Sequence, residues 1–300
     1  MSFKPKRLAA LTKKKNKIPL PLKIIRWLFP KVEVVFPYAA HRYFITIFFT
    51  PLRYPVPEKE QRALTFAQTF TLPVAGQRVQ GYTWGEGHRY VLLVHGWAGR
   101  ATQFRRFVKP LLAAGYKVVA FDGPAHGNST GKRTHIREFN EVLKQIYQKF
   151  GTPEAVLAHS FGGGAVLMAA MNGLPVTRLV NISTPTDGDE IINTFLRTIN
   201  GSASTGEYFK KYVLKQFGEP FVHFTSLYFI KHLPAPVELL LVHDEDDRDV
   251  GIEQAEALQR EYPSAELIRT KGLGHTRILR DNAIIEACVT FIRQGPSVSK

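Results

Sequence analysis

The stretch that most constrains the fold is the pentapeptide Ala-His-Ser-Phe-Gly at positions 158–162. An apolar run precedes it, and a run of small residues follows it. This pattern predicts a buried strand that ends in a sharp turn at Ser160 and continues directly into a helix. Such a turn needs small residues two positions before and two positions after the serine, and Ala158 and Gly162 meet that need. The serine hydroxyl is therefore expected above the end of a sheet, beside the first amide of a helix.

Further apolar runs are typical of buried strands and alternate with helical patterns. Strands are predicted at 90–94, 118–121, 155–158, 178–183, 237–243 and 265–268. Helices are predicted near 101–114, 134–150, 161–172 and 251–261, and an antiparallel pair at 66–84 opens the series. This alternation predicts an α/β fold whose parallel strands are joined by right-handed crossovers.

Residues able to carry chemistry follow several of these strands. His-Gly-Trp-Ala-Gly, 95–99, follows one strand, and the turn-rich loop 122–129 follows the next. A later strand ends in an acidic cluster at 244–249, and the last strand leads into Gly-Leu-Gly-His, which ends at His275. The chain order is serine, acid, histidine, each beyond the C-terminal end of a strand.

This set of motifs resembles the α/β-hydrolase superfamily over residues 65–294. The resemblance implies a mostly parallel eight-stranded sheet with helices on both faces and a helical cap inserted after the sixth strand. Together with the composition of the N-terminal residues, it divides the chain into five segments. These are a basic, disordered tail at 1–17, an apolar arm at 18–64, the first part of the core at 65–185, the cap at 186–236 and the second part of the core at 237–294.

The same resemblance implies a catalytic triad with Ser160 as nucleophile and His275 as base. Asp247 has the family spacing for the acid, and the other candidates are Asp244, Asp246, Asp249 and Asp187. The backbone amides of Trp97 and Phe161 are expected to form the oxyanion hole.

The remaining histidines and the single cysteine have structural explanations. His95 and His126 are expected to exchange hydrogen bonds with their own loops, and His159 to point away from Ser160. Cys288 lies in an apolar-periodic helix, which indicates a packed core thiol, and a chain with one cysteine forms no intramolecular disulfide. Neither a metal nor a cofactor is expected, because converging ligands at suitable spacings are missing.

The sequence thus predicts a serine hydrolase that cleaves a carboxylic ester or related acyl substrate. The alternatives are an acyltransferase or a cofactor-free perhydrolase with the same triad, and a non-catalytic binding protein on this scaffold. Residues 195–229 carry nine aromatic side chains, which favours an apolar small-molecule acyl substrate.

The N-terminus carries most of the excess positive charge. Residues 1–31 hold ten Lys or Arg and no acid, out of a net charge of +15 for the chain. Nine aromatic residues follow within 18–54, in a segment whose longest uncharged run is too short to cross a bilayer. These features predict peripheral contact of 1–31 with anionic membrane, or packing of the arm on the core. Nucleic-acid binding is not expected, since no recognition motif accompanies the charge, and the predicted location is the cytoplasm.

Overall fold

The computed structural model of the protein describes residues 20–294. One sheet contains eight strands in the order β1-β2-β4-β3-β5-β6-β7-β8. The first two pairings, β1 with β2 and β2 with β4, are antiparallel, and all the others are parallel. The predicted mostly parallel eight-stranded sheet is therefore confirmed. Its strands are β1 Gln68–Val74, β2 Gln77–Trp84, β3 Tyr90–Val94, β4 Lys117–Asp122, β5 Ala155–His159, β6 Arg178–Ile182, β7 Glu238–Asp244 and β8 Glu266–Thr270.

Helices cover both faces of this sheet because successive residues of a strand point to opposite sides. Leu92 and Val94 of β3 pack in one apolar cluster, whereas Val91 and Leu93 pack in the other. The helices of the core are α4 Arg105–Ala113, α5 Ile136–Phe150, α6 Phe161–Met171, α10 Ile252–Glu261, α11 Gly274–Arg277 and α12 Asn282–Arg293. Cys288 of α12 is fully buried, and burial raises the pKa of its thiol to about 12, as expected for a packing residue.

Three helices and a 3-10 turn lie between β6 and β7, where the sequence places the cap. They are α7 Gly188–Ile199, α8 Ala203–Phe217, the turn Phe221–Phe224 and α9 Ser226–Lys231. We call this segment the cap.

The chain N-terminal to the sheet forms three helices, α1 Leu20–Val35, α2 Pro37–Phe48 and α3 Glu58–Leu64. The first two pack against the cap and form a third apolar cluster with it, in which Phe44 and Phe48 of α2 meet Phe209 of α8. The arm was expected on the membrane or on the core, and the structure places α1 and α2 chiefly on the cap. No helix within 20–294 has the length and apolar composition of a membrane span. The predicted tail, 1–17, lies outside the described residues.

Candidate active site

Ser160 occupies the turn between β5 and α6, with a backbone φ of 53° and ψ of −127°. Few residues other than glycine adopt a positive φ, so the turn is held by its surroundings. Gly162 is required there, because a Cβ atom at that position would collide with the carbonyl oxygens of Val94 and His95. Because the start of α6 packs closely against the end of β3, Ser160 lies at the C-terminal edge of the sheet.

A continuous hydrogen-bond chain links Ser160, His275 and Asp247. The Nε2 atom of His275 lies 3.1 Å from the Ser160 Oγ atom, and its Nδ1 atom lies 2.8 Å from the Asp247 Oδ2 atom. An ionised carboxylate only accepts hydrogen bonds, so the imidazole proton sits on Nδ1 and leaves Nε2 free to accept from the serine. The three residues that the sequence predicts as the triad therefore lie within hydrogen-bonding distance of one another.

Asp247 is held as a buried carboxylate. Its Oδ1 atom accepts hydrogen bonds from the amides of Asp249 and Val250, at 2.9 Å and 3.0 Å. Burial by itself raises the pKa of Asp247, but the hydrogen bond and electrostatic interaction with His275, and the two backbone hydrogen bonds, outweigh that effect and leave this pKa lowered. Asp247 is therefore ionised at neutral pH and hydrogen-bonded to the Nδ1 edge of the imidazole.

The other candidate acids have different tasks. Asp187 is exposed and accepts a hydrogen bond from the Glu190 amide, which makes it the N-cap of α7. Asp244 is fully buried and accepts hydrogen bonds from the amides of Leu273 and Gly274, each at 2.9 Å. Asp244 thus ties the loop that carries the candidate base to the end of β7. This positioning role was missed in the sequence, although the residue's place at a strand end was visible there.

His159 also positions the candidate base. Its Nε2 atom lies 2.9 Å from the backbone carbonyl oxygen of His275, and the two imidazole rings are 4.7 Å apart. Burial, reinforced by the neighbouring His275, lowers the pKa of His159 to about 3, so this ring stays neutral. Sequence reasoning missed this contact, because nothing local indicates that the two residues meet.

The two loop histidines were expected to bond within their own loops, and only one nitrogen of each ring does so, while the other accepts from an amide of the other loop. His95 accepts a hydrogen bond from the Gly123 amide on Nε2, and its Nδ1 atom lies 2.7 Å from the Gly96 carbonyl oxygen. His126 accepts from the Ala98 amide on Nε2, and its Nδ1 atom lies 2.9 Å from the Pro124 carbonyl oxygen. Burial lowers the pKa of both rings, which keeps them neutral and able to accept.

The two amides proposed for the oxyanion hole come from different parts of the chain. Trp97 lies in the turn after β3, and Phe161 is the first residue of α6. Within residues 20–294, neither of these two backbone N–H groups donates to a protein acceptor. Their side chains meet edge to face, with ring centres 5.3 Å apart. Both amides therefore keep a hydrogen bond available for a ligand.

An aromatic pocket of about 360 Å³ opens beside Ser160 and His275. Three parts of the chain build its walls: the core, the cap and the arm. The arm's contribution, from Phe48 and Phe49, was not predicted, because these residues are more than a hundred positions away from the serine. The aromatic wall residues are Phe48, Phe49, Trp97, Phe161, Phe195, Phe217, Phe221 and Phe224.

Two polar atoms of the wall have no hydrogen-bond partner within the described part of the chain. They are Thr134 Oγ1 and His135 Nδ1, both buried atoms. The Thr134 amide donates to the carbonyl oxygen of Phe49 at 2.9 Å, so this threonine also ties the arm to the core.

Asp247, Asp249 and His275 also offer three potential metal-ligand atoms within 4.8 Å of one another, the only such group among the described residues. Two of the three residues are already joined by the short hydrogen bond between Asp247 and His275. As arranged, the group suits proton transfer better than metal binding, and the expectation of no metal stays a prediction.

Family models match most of the folded chain. A model described as alpha/beta hydrolase fold matches residues 90–227, and one described as TAP-like protein matches residues 228–297. Together with the sheet order, these matches show that the chain belongs to the α/β-hydrolase superfamily, as its motifs predicted.

Individual relatives match only parts of the chain, at moderate identity. The chain is 37% identical over 84 residues to a monoacylglycerol lipase of Mycolicibacterium smegmatis, which covers 25% of this chain and 30% of the relative. It is 28% identical over 149 residues to a serine hydrolase-like protein of Danio rerio, covering 45% and 44%. In both cases the match spans less than half of the relative's length. Among solved structures, an esterase of Pyrococcus furiosus superimposes with a TM-score of 0.63 at 20% identity, over 83% of this chain and all of the other. At that identity the likeness concerns the fold alone.

Proposed function

We propose that this protein is a serine hydrolase that cleaves a carboxylic ester, or a related acyl substrate, through an acyl-enzyme on Ser160. The observation that carries the proposal is the hydrogen-bond chain from Asp247 through His275 to Ser160, which ends at an aromatic pocket. A serine hydroxyl becomes a useful nucleophile when a neutral base within hydrogen-bond reach takes its proton.

Each residue has a defined task in the proposed reaction. Ser160 Oγ attacks the substrate carbonyl carbon while His275 Nε2 takes the hydroxyl proton. Asp247 keeps the imidazole in the required tautomer and stabilises the imidazolium. His275 then donates the proton to the leaving alcohol, and water repeats the sequence to release the acid and regenerate the serine.

The free amides of Trp97 and Phe161 would stabilise the negative charge that develops on the carbonyl oxygen. Removing one such donor costs about 3–4 kcal/mol of transition-state stabilisation. Phe161 adds the partial positive charge of the α6 N-terminus, which also favours an anion at this place.

The pocket supports an apolar acyl group of short to medium length. Its walls are mostly apolar and include eight Phe or Trp side chains, and its volume is about 360 Å³. A charged or sugar-like acyl group would be desolvated there with few compensating hydrogen bonds. An acyl chain as long as palmitate would extend beyond such a space.

A fluorophosphonate probe tests the proposed nucleophile, because only an activated serine reacts with it. Ser160→Ala is expected to abolish labelling and to lower ester turnover by a factor on the order of 10⁶. Ser226→Ala is the matched control: Ser226 also lines the pocket, but its hydroxyl donates to the Pro185 carbonyl oxygen. Labelling that survives Ser160→Ala would contradict the assignment.

Ester length tests the pocket. With p-nitrophenyl esters from acetate to palmitate, kcat/KM is expected to be highest for short and medium chains and to fall for palmitate. Activity absent across this series, with turnover of a charged acyl ester, would overturn the pocket argument.

A further inference from the structure

The first helix exposes an apolar face to solvent. We call this face, made of Leu20, Ile24, Trp27, Leu28, Val34 and Val35, the α1 stripe. These positions repeat at intervals of three, four or seven residues, which places them on one side of a helix. Trp27 is 66% exposed and Val34 is 83% exposed. Three further aromatic side chains, Phe36, Tyr38 and Tyr43, are exposed in the sequence that follows α1.

The opposite face of α1 is fixed to the cap, so the stripe is held outward. Phe29 is buried in the cluster that joins α1 and α2 to the cap. Arg26 donates to the carbonyl oxygen of Arg197 at 2.7 Å, and the Glu33 carboxylate accepts from the Ser202 amide at 3.1 Å. These contacts stop α1 from turning its apolar face toward the protein.

The sequence that contains the stripe is rich in positive charge. Residues 1–57 contain twelve Lys or Arg and a single acid, Glu33, whose carboxylate is directed at the cap. Three of the basic residues, Lys23, Arg26 and Lys31, lie on α1 itself, and the Lys31 Nζ atom is 3.1 Å from the centre of a Trp27 ring. An apolar stripe with lysines around it is the composition of a helix that lies in the interface of an anionic membrane.

A second copy of the chain is a poorer partner for this surface. Pairing two α1 stripes would bring together two segments that each carry a large excess of positive charge. Such like-charge contacts are costly at an interface, whereas anionic lipid headgroups neutralise the same charges.

We propose that the α1 stripe and the basic residues of segment 1–57 dock this protein on the surface of an anionic lipid membrane. Trp27, Leu28 and their neighbours would enter the boundary between headgroups and acyl chains, and the lysines would contact the headgroups. The same arm supplies Phe48 and Phe49 to the pocket, so docking would hold one pocket wall close to a lipid surface. The docking does not depend on the proposed catalysis.

Vesicle sedimentation of the full-length chain tests the proposal. The protein carries Ser160→Ala, so that binding is measured without turnover and a failure of the proposed hydrolase leaves the result intact. Vesicles contain phosphatidylcholine alone or mixed with phosphatidylglycerol. Binding is expected only to the mixed vesicles, and it should weaken as salt is raised.

Substitutions on the stripe give the decisive comparison. Trp27→Ser with Leu28→Ser is expected to weaken binding by a factor on the order of 100, because two large apolar side chains no longer enter the bilayer. Phe66→Ser is the matched control and should bind unchanged, since Phe66 is 84% exposed but lies outside the arm. With Ser160 restored, the double variant should hydrolyse p-nitrophenyl acetate at the unaltered rate.

Three results would overturn the proposal. One is that the double variant and the protein with an unaltered stripe sediment equally with vesicles. Another is equal binding to vesicles with and without phosphatidylglycerol. The third is a dimer, detected by light scattering, that the double variant dissociates without any change in vesicle binding.

Discussion

Replacing Asp247 by Asn tests the proposed triad at its least obvious member. The Oδ1 atom of Asp247 accepts two backbone amides, from Asp249 and Val250. In the variant the amide oxygen must keep that position, because an NH₂ group there would face two other donors. The NH₂ group then faces His275 Nδ1 and donates to it. The imidazole proton is consequently forced onto Nε2, the atom that faces Ser160.

The size of the expected effect follows from this tautomer. A base that already carries a proton on the atom facing the nucleophile cannot accept the hydroxyl proton. A wrong tautomer of this kind lowers kcat by a factor of about 10⁴, or about 5 kcal/mol of activation free energy. The fold should be retained, since the side chain keeps its volume and both backbone hydrogen bonds.

Steady-state hydrolysis of a p-nitrophenyl ester measures the effect, and circular dichroism checks the fold. Asp249→Asn and Asp187→Asn are the controls, because both side chains are exposed and neither hydrogen-bonds His275. Both should change kcat less than tenfold. If Asp247→Asn keeps kcat within tenfold, or if Asp187→Asn is the crippling change, the tautomer argument fails.

Three further predictions concern stability. The pKa of His159 is about 3 in the folded protein and 6.5 for an ordinary histidine. The contribution of the neutral ring to the free energy of unfolding is therefore complete above about pH 6.5 and is lost as the pH falls. His159→Gln should therefore reduce the slope of the unfolding free energy against pH by up to about 1.4 kcal/mol per pH unit. Urea denaturation between pH 6.5 and 5 measures this slope, and equal slopes for the variant and the unaltered protein would refute the prediction. Thr134→Val should raise the free energy of unfolding by about 1 kcal/mol, because an unpartnered buried hydroxyl is removed. A lower free energy of unfolding in the variant would show instead that the hydroxyl is hydrogen-bonded. Phe44→Ala should cost about 3–5 kcal/mol in the same assay, whereas the exposed Tyr38→Ala should cost under about 1 kcal/mol; equal effects would contradict packing of the arm on the cap.

Much of the core was predictable because its signals are local. A strand buried on both faces is a continuous apolar run, and residues 90–94 correspond to β3 without any shift. The turn at Ser160 was equally readable, since the strained φ imposes small residues nearby in the chain. The chain order of the serine, the acidic cluster and the histidine followed from these elements.

The choice among the acids needed the tertiary structure. Five aspartates follow the sixth and seventh strands, and spacing alone favoured Asp247 without explaining the others. Contacts across the sheet separate their tasks: Asp247 meets His275, Asp244 holds the loop before it, and Asp187 caps α7. Hydrogen bonds between residues far apart in the chain leave no periodic signal in the sequence.

The place of the arm was likewise decided only by packing. Its aromatic composition indicated burial against something, and composition does not distinguish the cap, the core or a membrane as the partner. In the structure one face of α1 and α2 closes on the cap through Phe29, Phe44 and Phe48, and α2 delivers Phe48 to the pocket. An apolar segment can bury itself on any complementary surface, so its sequence determines that it packs, and the shape of the folded cap determines where.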